Sequence, residues 1–157
     1  MHLQIRAAIS DDAQLIADMT RAAWAGKVAA TSSGHRETAM LVSDQLGQGG
    51  GFILLIDDQP AGSVRWLPSD GKSDGWEILR MGLLPDFRGN DLSRKLLEAV
   101  FHHALANEVC ELRLAVRTDQ PRLLDLYSTY GFEIASDLTY SHANPSEPAP
   151  IVMRKRL

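Results

Sequence analysis

Two stretches of this chain gather residue types that could do chemistry. The first is Leu83-Leu84-Pro85-Asp86-Phe87-Arg88-Gly89-Asn90-Asp91-Leu92-Ser93-Arg94, where an apolar strand runs into a loop and the loop opens a helix. A helix start carries backbone N–H groups with no partner inside the helix, at the positive end of the helix dipole. Such a junction suits an anion, a phosphate above all. The second is Gln120-Pro121-Arg122-Leu123-Leu124-Asp125-Leu126-Tyr127-Ser128-Thr129-Tyr130-Gly131-Phe132, with Tyr127 four residues ahead of a Gly-Phe pair. Other arrangements drop out. Gly47, Gly49, Gly50 and Gly51 lack the Lys and Ser/Thr of a phosphate-binding P-loop and read as a helix stop. His102 and His103 point to different sides of a helix and make no metal pair. There is no Gly-x-Ser-x-Gly of a hydrolase. Cys110 is the only cysteine, so one chain can build neither a disulfide nor a thiolate zinc cluster.

The elements that hold these residues belong to 157 residues, a length that suits one domain over 1–157. With 45% hydrophobic and 23% charged residues, the composition is that of a globular domain with a core of useful size. No apolar run approaches the roughly 18 residues of a membrane span, and the amino terminus lacks a secretory stretch, so the expected location is cytoplasmic, with no membrane partner. A net charge of -4 and a pI near 5.7 disfavour nucleic acid, because phosphate backbones are held by clustered Lys and Arg. The one dense basic stretch, Arg154-Lys155-Arg156, reads as solvated.

Leu3, Ile5 and Ala7 alternate with polar residues as a first strand. Ser10 offers an N-cap for a first helix running to about Trp24, with Asp11 and Asp12 in its first turn. Thr31 to Gly34 reads as a loop and Glu37 to Leu46 as a second helix. Phe52 to Ile56 is a buried strand, residues 57–62 a hairpin connection, Val64 to Leu67 the returning strand, and Pro68 to Gly75 a polar turn. Trp76 to Leu84 is a fourth strand stopped by Pro85. The pattern then changes from hairpins to alternation of strand and helix. A third helix spans about 91–106, and Leu112, Leu114 and Val116 alternate in a fifth strand, which the right-handed crossover rule makes parallel to the fourth. Pro121 starts a fourth helix and Gly131 stops it. Phe132 to Tyr140 and Ile151 to Arg156 close the chain as two strands around a Pro-rich loop. The expected fold is α/β, an α+β mixed sheet of about seven strands with helices on both faces.

The two stretches together resemble the GNAT superfamily of acyl-CoA-dependent N-acetyltransferases. Members carry Pro-x-[Tyr/Phe]-Arg-Gly-x-Gly-x-[Gly/Ala] after the fourth strand and Asn-x-x-Ala-x-x-Leu-Tyr-x-x-x-Gly-Phe at the fourth helix. The order of elements resembles that family over nearly the whole chain, making 1–157 one N-acetyltransferase domain. The resemblance implies acetyl-CoA as cosubstrate, with no metal, and its pyrophosphate on the amides of Arg88, Gly89, Asn90, Asp91, Leu92 and Ser93. Its pantetheine arm would run between the diverging fourth and fifth strands, bonded to backbone near Leu83 and Leu84. Tyr127 would stand near the thioester sulfur, where a phenol near 10 can donate to a thiolate whose conjugate acid is near 8.5. A backbone N–H of the fourth strand would stabilise the oxyanion. Arg94, Lys95 and Arg122 are candidates to reach the outer phosphates.

This chain departs from the family pattern at three places. Asp91 and Ser93 stand where glycine is usual, and Gln120 where Asn is usual. A carboxylate a few ångströms from a pyrophosphate is repelled by about 1 kcal/mol; an Asp91 that caps the helix and faces solvent leaves its N–H for the ligand. The resemblance points to Glu77, on the fourth strand, as general base, with His35 and His142 in loops bordering the acceptor. Trp24, Trp66 and Trp76 read as core or sheet-face packing, with a wall of the acceptor pocket as the other reading for Trp24. The implied reaction is acetyl transfer to a primary amine of a small molecule or peptide, by direct attack in a ternary complex, in a possible homodimer. Cys110, at the start of the fifth strand, does not favour an acyl-cysteine. A catalytically silent acyl-CoA-binding or regulatory domain is the alternative, and a nucleotide-binding module a third.

Overall fold

The structure, a computed structural model, describes residues 1–25, 36–69, 74–89, 91–139 and 148–157. Alternating and continuous apolar runs put seven strands in one sheet: β1 (Leu3–Ala7), β2 (Gly50–Ile56), β3 (Gln59–Pro68), β4 (Gly75–Leu83), β5 (Glu111–Val116), β6 (Glu133–Ile134) and β7 (Ile151–Arg156). Their order across the sheet is β1-β2-β3-β4-β5-β7-β6. β4 and β5 are the parallel pair, as the crossover predicts, and the other neighbours are antiparallel.

Helices cover both faces. α1 (Ala13–Trp24) and α2 (Ala39–Gln48) bury Ile16, Ala17, Met19 and Val42 against Ile53. α3 (Leu92–Ala106) lays Leu92, Leu96, Leu97 and Val100 on the opposite face, over Leu54, Val64, Ile78 and Leu114. Each fully buried leucine there contributes roughly 1.5–3 kcal/mol. Half-buried Leu123, Leu124 and Tyr127 of α4 (Arg122–Thr129) pack against that core. On it Trp66 and Trp76 stack with centroids 5.1 Å apart at 15°, and exposed His103 lies 5.3 and 5.6 Å from them.

Several boundaries differ from the sequence reading. Ser10 is not the first cap: Ser10–Asp12 is a 3-10 turn, and buried Asp12 accepts from the Ile9 N–H at 2.9 Å and from both ends of the Arg6 guanidinium at 2.9 Å. The second helix starts two residues late, because the Thr38 hydroxyl accepts the Leu41 N–H and caps it, leaving Glu37 outside. The hairpin tip shrinks to Asp57 and Asp58, both left-handed at φ 49 and 66, the conformation a two-residue turn demands. β6 keeps two residues instead of nine, since Phe132 goes into the core and Ala135 already turns its N–H to Val152 O. The predicted loop Thr31–Gly34 lies outside the described residues.

Candidate active site

β4 and β5 are paired only from Gly75↔Glu111 to Glu77↔Arg113. Beyond that point β5 continues beside β7 to Val116↔Ile151, while β4 stays with β3 to Gly62↔Leu83. The two parallel strands therefore part and leave a wedge. The cause lies in β4: Ser63 and Arg65 of β3 face Gly82 and Leu79, so β4 holds one residue more than its partner over that interval. Arg80 takes a left-handed φ of 52 there. Such a bulge bends a strand and increases its twist. Burial follows the bend, since Glu77, Ile78 and Leu79 are buried and Arg80 to Leu84 half-exposed.

One edge of the wedge leads into the loop before α3. Leu84 donates its N–H to Ala61 O at 2.8 Å, and Pro85–Phe87 form a 3-10 turn. Phe87 and Arg88 turn their N–H groups to Leu84 O and Pro85 O, at 2.9 and 3.4 Å. Of the amides that the resemblance assigns to the pyrophosphate, that of Arg88 is thus already engaged in the 3-10 turn. Its side chain is also engaged: Nη2 donates to Ala23 O at 2.6 Å, at the negative end of α1. Gly89 has φ 89 and Asp91 φ 57. A Cβ at Gly89 would meet nothing within 4 Å, so backbone conformation rather than crowding asks for glycine. Asp91 holds that conformation without being glycine. It makes no side-chain cap, and its 77% exposed carboxylate lies 3.7 Å from Arg94 Nη2. The bond from Lys95 N–H to Asp91 O comes at 3.3 Å, so the amides of Leu92, Ser93 and Arg94 precede it at the helix start. Asn90 lies outside the described residues.

α4 stands on the β5 side. Tyr127 O accepts from Tyr130 N–H at 3.0 Å and Phe132 N–H at 3.2 Å, and Gly131 has φ 93 with Lys155 Nζ 2.5 Å from where a Cβ would sit. Gly131 and Phe132 therefore stop the helix and anchor its end in the core. Half-buried Tyr127 lies edge-on to Phe132 at 6.0 Å, and burial pushes its phenol up to about 12, with Tyr130 adding to the rise. Half-buried Tyr130 accepts at its carbonyl from Lys155 Nζ at 2.8 Å. Gln120 donates its N–H to Arg117 O and accepts at its carbonyl from Leu123 N–H, ending the loop into α4. Arg94 also reaches Glu98 at 3.2 Å, and Lys95 and Arg122 are exposed.

Glu77, 2% exposed, occupies the last paired position of β4 beside Arg113, just inside the start of the wedge. Trp24, at the end of α1, rests on Gly82: a Cβ there would come within 2.7 Å of the indole. Cys110 is exposed at the closed end of the β4–β5 pair, away from the wedge. His35 and His142 lie outside the described residues.

A cluster that sequence reasoning missed lies on the α1–α2 side of β3 and β4. Arg65, 0% exposed, is hydrogen-bonded to the carboxylate of Glu37 and to Gln45 Oε1 at 2.6 Å. Arg80 Nε donates to the same Glu37 Oε1 at 2.9 Å, and Arg21 donates to the Glu37 carbonyl. Glu37 Oε2 is buried with no hydrogen-bond partner among the described residues. The available signal was Arg65, the one charged residue of β3, flanked by Val64 and Trp66.

A mixed sheet opened between two parallel strands, with a helix start at one mouth, is the architecture of an acyl transferase fold. A model of the acetyltransferase (GNAT) family matches residues 16–132, and the chain belongs to that family. A mycothiol acetyltransferase from Kocuria rhizophila is 31% identical over 90 residues, 53% of this chain and 30% of that protein; the chain thus matches under a third of that relative's length. The PaiA N-acetyltransferase of Thermoplasma acidophilum, solved in complex with coenzyme A, superposes with a TM-score of 0.79 at 16% identity over 100% of both chains. The ribosomal-protein-S18-alanine N-acetyltransferase of Escherichia coli gives 0.75 at 18% identity over 99% of this chain and 94% of that one. These likenesses establish the fold. Among the described residues no helix is long and apolar enough to cross a membrane.

Proposed function

We propose that the protein transfers an acetyl group from acetyl-CoA to a primary amine by direct attack in a ternary complex. The observation that carries this is the wedge, which opens at the Arg80 bulge and ends at the amides of Leu92, Ser93 and Arg94. These residues fit the coenzyme: left-handed Gly89 and Asp91 lead into a helix start whose Leu92, Ser93 and Arg94 amides suit a diphosphate, and the β4 edge past Glu77 has no β5 neighbour among the described residues to exclude an extended arm. The exposed Asp91 carboxylate, held near Arg94, leaves that approach open. Acetyl-CoA supplies an activated acyl group on a thiol leaving group.

Tyr127 keeps its proton. A phenol near 12 facing a thiol near 8.5 makes full proton transfer uphill by roughly 5 kcal/mol, so Tyr127 serves as a hydrogen-bond donor to the departing sulfur. The same property disqualifies it as the base. Glu77, buried at the inner end of the wedge, takes that role through water, drawing the proton from the amine. Amides of the half-exposed β4 segment supply the oxyanion donors.

Titration with acetyl-CoA and an assay of released CoA thiol over a panel of amines tests the reading. Binding with amine-dependent release is expected. Absence of acetyl-CoA binding defeats it, and binding without release from any amine favours the silent acyl-CoA-binding domain, the reading that Asp91 motivates.

A further inference from the structure

We infer that the acceptor is an amine carrying a carboxylate, and that Arg80 is the residue that selects it. This rests on the acetyl-transfer reading above and names its substrate class. Arg80 sits in the β4 bulge, three residues past the last β4–β5 pair, at the inner end of the wedge. The other end meets the amides that suit phosphate, so the acyl group of an extended coenzyme belongs near the inner end. Arg80 turns toward Glu37, which lies just ahead of α2 and so on the α1–α2 side, opposite the face that α3 covers.

The geometry of its guanidinium is specific. Nε–H is spent on Glu37 Oε1, and among the described residues Nη1 and Nη2 have no partner. Those two nitrogens form the end-on fork that matches a planar carboxylate with two parallel bonds. Glu37 cannot neutralise Arg80 fully, because the same Oε1 also serves Arg65. The side chain is 24% exposed, so the fork is reachable while its stem is held. A left-handed φ at a residue of this size persists only where surroundings impose it, and here it falls within the bulge, with the side chain held by Glu37. An arginine kept merely as a structural ion would not need a free fork.

The test uses the full chain with acetyl-CoA and matched acceptors differing only at the anion: α-amino acids, their carboxamides, and the corresponding decarboxylated amines. Amino acids are expected to exceed the other two by about 10-fold or more in kcat/KM. Arg80→Asn, whose side chain tolerates the left-handed backbone, should remove that preference by raising KM for the acids more than for the amides, bringing the kcat/KM ratio of acid to amide close to one. Arg80→Gly repeats the test without any side chain, and a thermal melt verifies that both variants fold. Equal or better turnover of amides and simple amines, or a preference that survives both substitutions, overturns the inference and leaves acetyl transfer standing. Calorimetric titration of N-acetyl amino acids and N-acetyl amino acid amides into the CoA-loaded protein reads the same contact without turnover. Acids bound at least about 10-fold more tightly, with the difference lost in Arg80→Asn, is the expected result, and no difference overturns it. Failure of acetyl-CoA to bind at all is the separate signature of a wrong enzymatic reading.

Discussion

At Tyr127 a single physical change, burial, selects one role from the several a tyrosine can play. A phenol held near 12 is neutral throughout the physiological range, so it donates and never accepts a proton. Tyr127→Phe should lower kcat by about 100-fold while KM for acetyl-CoA moves little, as steady-state kinetics would record; an unchanged kcat would reduce Tyr127 to a packing residue. Asp91 makes the opposite case, a residue in a glycine's place that keeps the glycine's backbone and turns its charge outward. Removing that charge in Asp91→Gly should tighten CoA binding about fivefold at low salt, and less at high salt, by isothermal titration. Both residues were legible through the resemblance of their two stretches to the family pattern, which spacing alone does not supply. Arg80 and Glu37 were not, because their meaning depends on a bulge and on a helix start displaced by the Thr38 cap, neither of which carries a local pattern strong enough to read.

Among the elements, the strand and helix order was legible because each apolar period is long and each stop is a Gly or Pro. The short elements were not: β6 loses most of its expected length to the pull of Phe132 into the core, and the first helix starts through Asp12 rather than Ser10. That start has a pH dependence. Hydrogen bonds from Arg6, with a smaller share from the Ile9 N–H, hold the Asp12 carboxyl below the usual carboxylate range. A depressed folded-state value contributes stability above the unfolded value near 3.9 and loses it as pH falls through the folded one. Asp12→Asn should therefore cost about 1–2 kcal/mol at pH 7, allowing for the partial exposure of Arg6, and progressively less in acid, as denaturant melts across pH would show. At the sheet, Glu37→Gln removes the buried carboxylate that Arg65 and Arg80 share and should cost about 3 kcal/mol in the same assay.

The whole molecule divides into a half that is sewn shut and a half that is not. β1 to β3 and the closed end of β4–β5 hold continuous ladders with their neighbours, whereas β4 past Glu77 and the first turn of α3 offer amides to something from outside. Hydrogen exchange with and without acetyl-CoA should slow at Arg80 to Leu84 and Leu92 to Arg94 and leave β1 and β2 unaltered; uniform slowing would mean general tightening instead. The three tryptophans fall on either side of the same division. Buried Trp66 and half-buried Trp76 lie face to face on the core, and such a dimer of indoles couples its excited states and registers the integrity of the fold as a circular dichroism band. Trp24 lies on Gly82 beside the opening, so acetyl-CoA binding there is expected to shift its emission while the dichroism of the stacked pair stays unchanged. The protein thus carries two spectrally separable reporters, one for being folded and one for being occupied, with no label added.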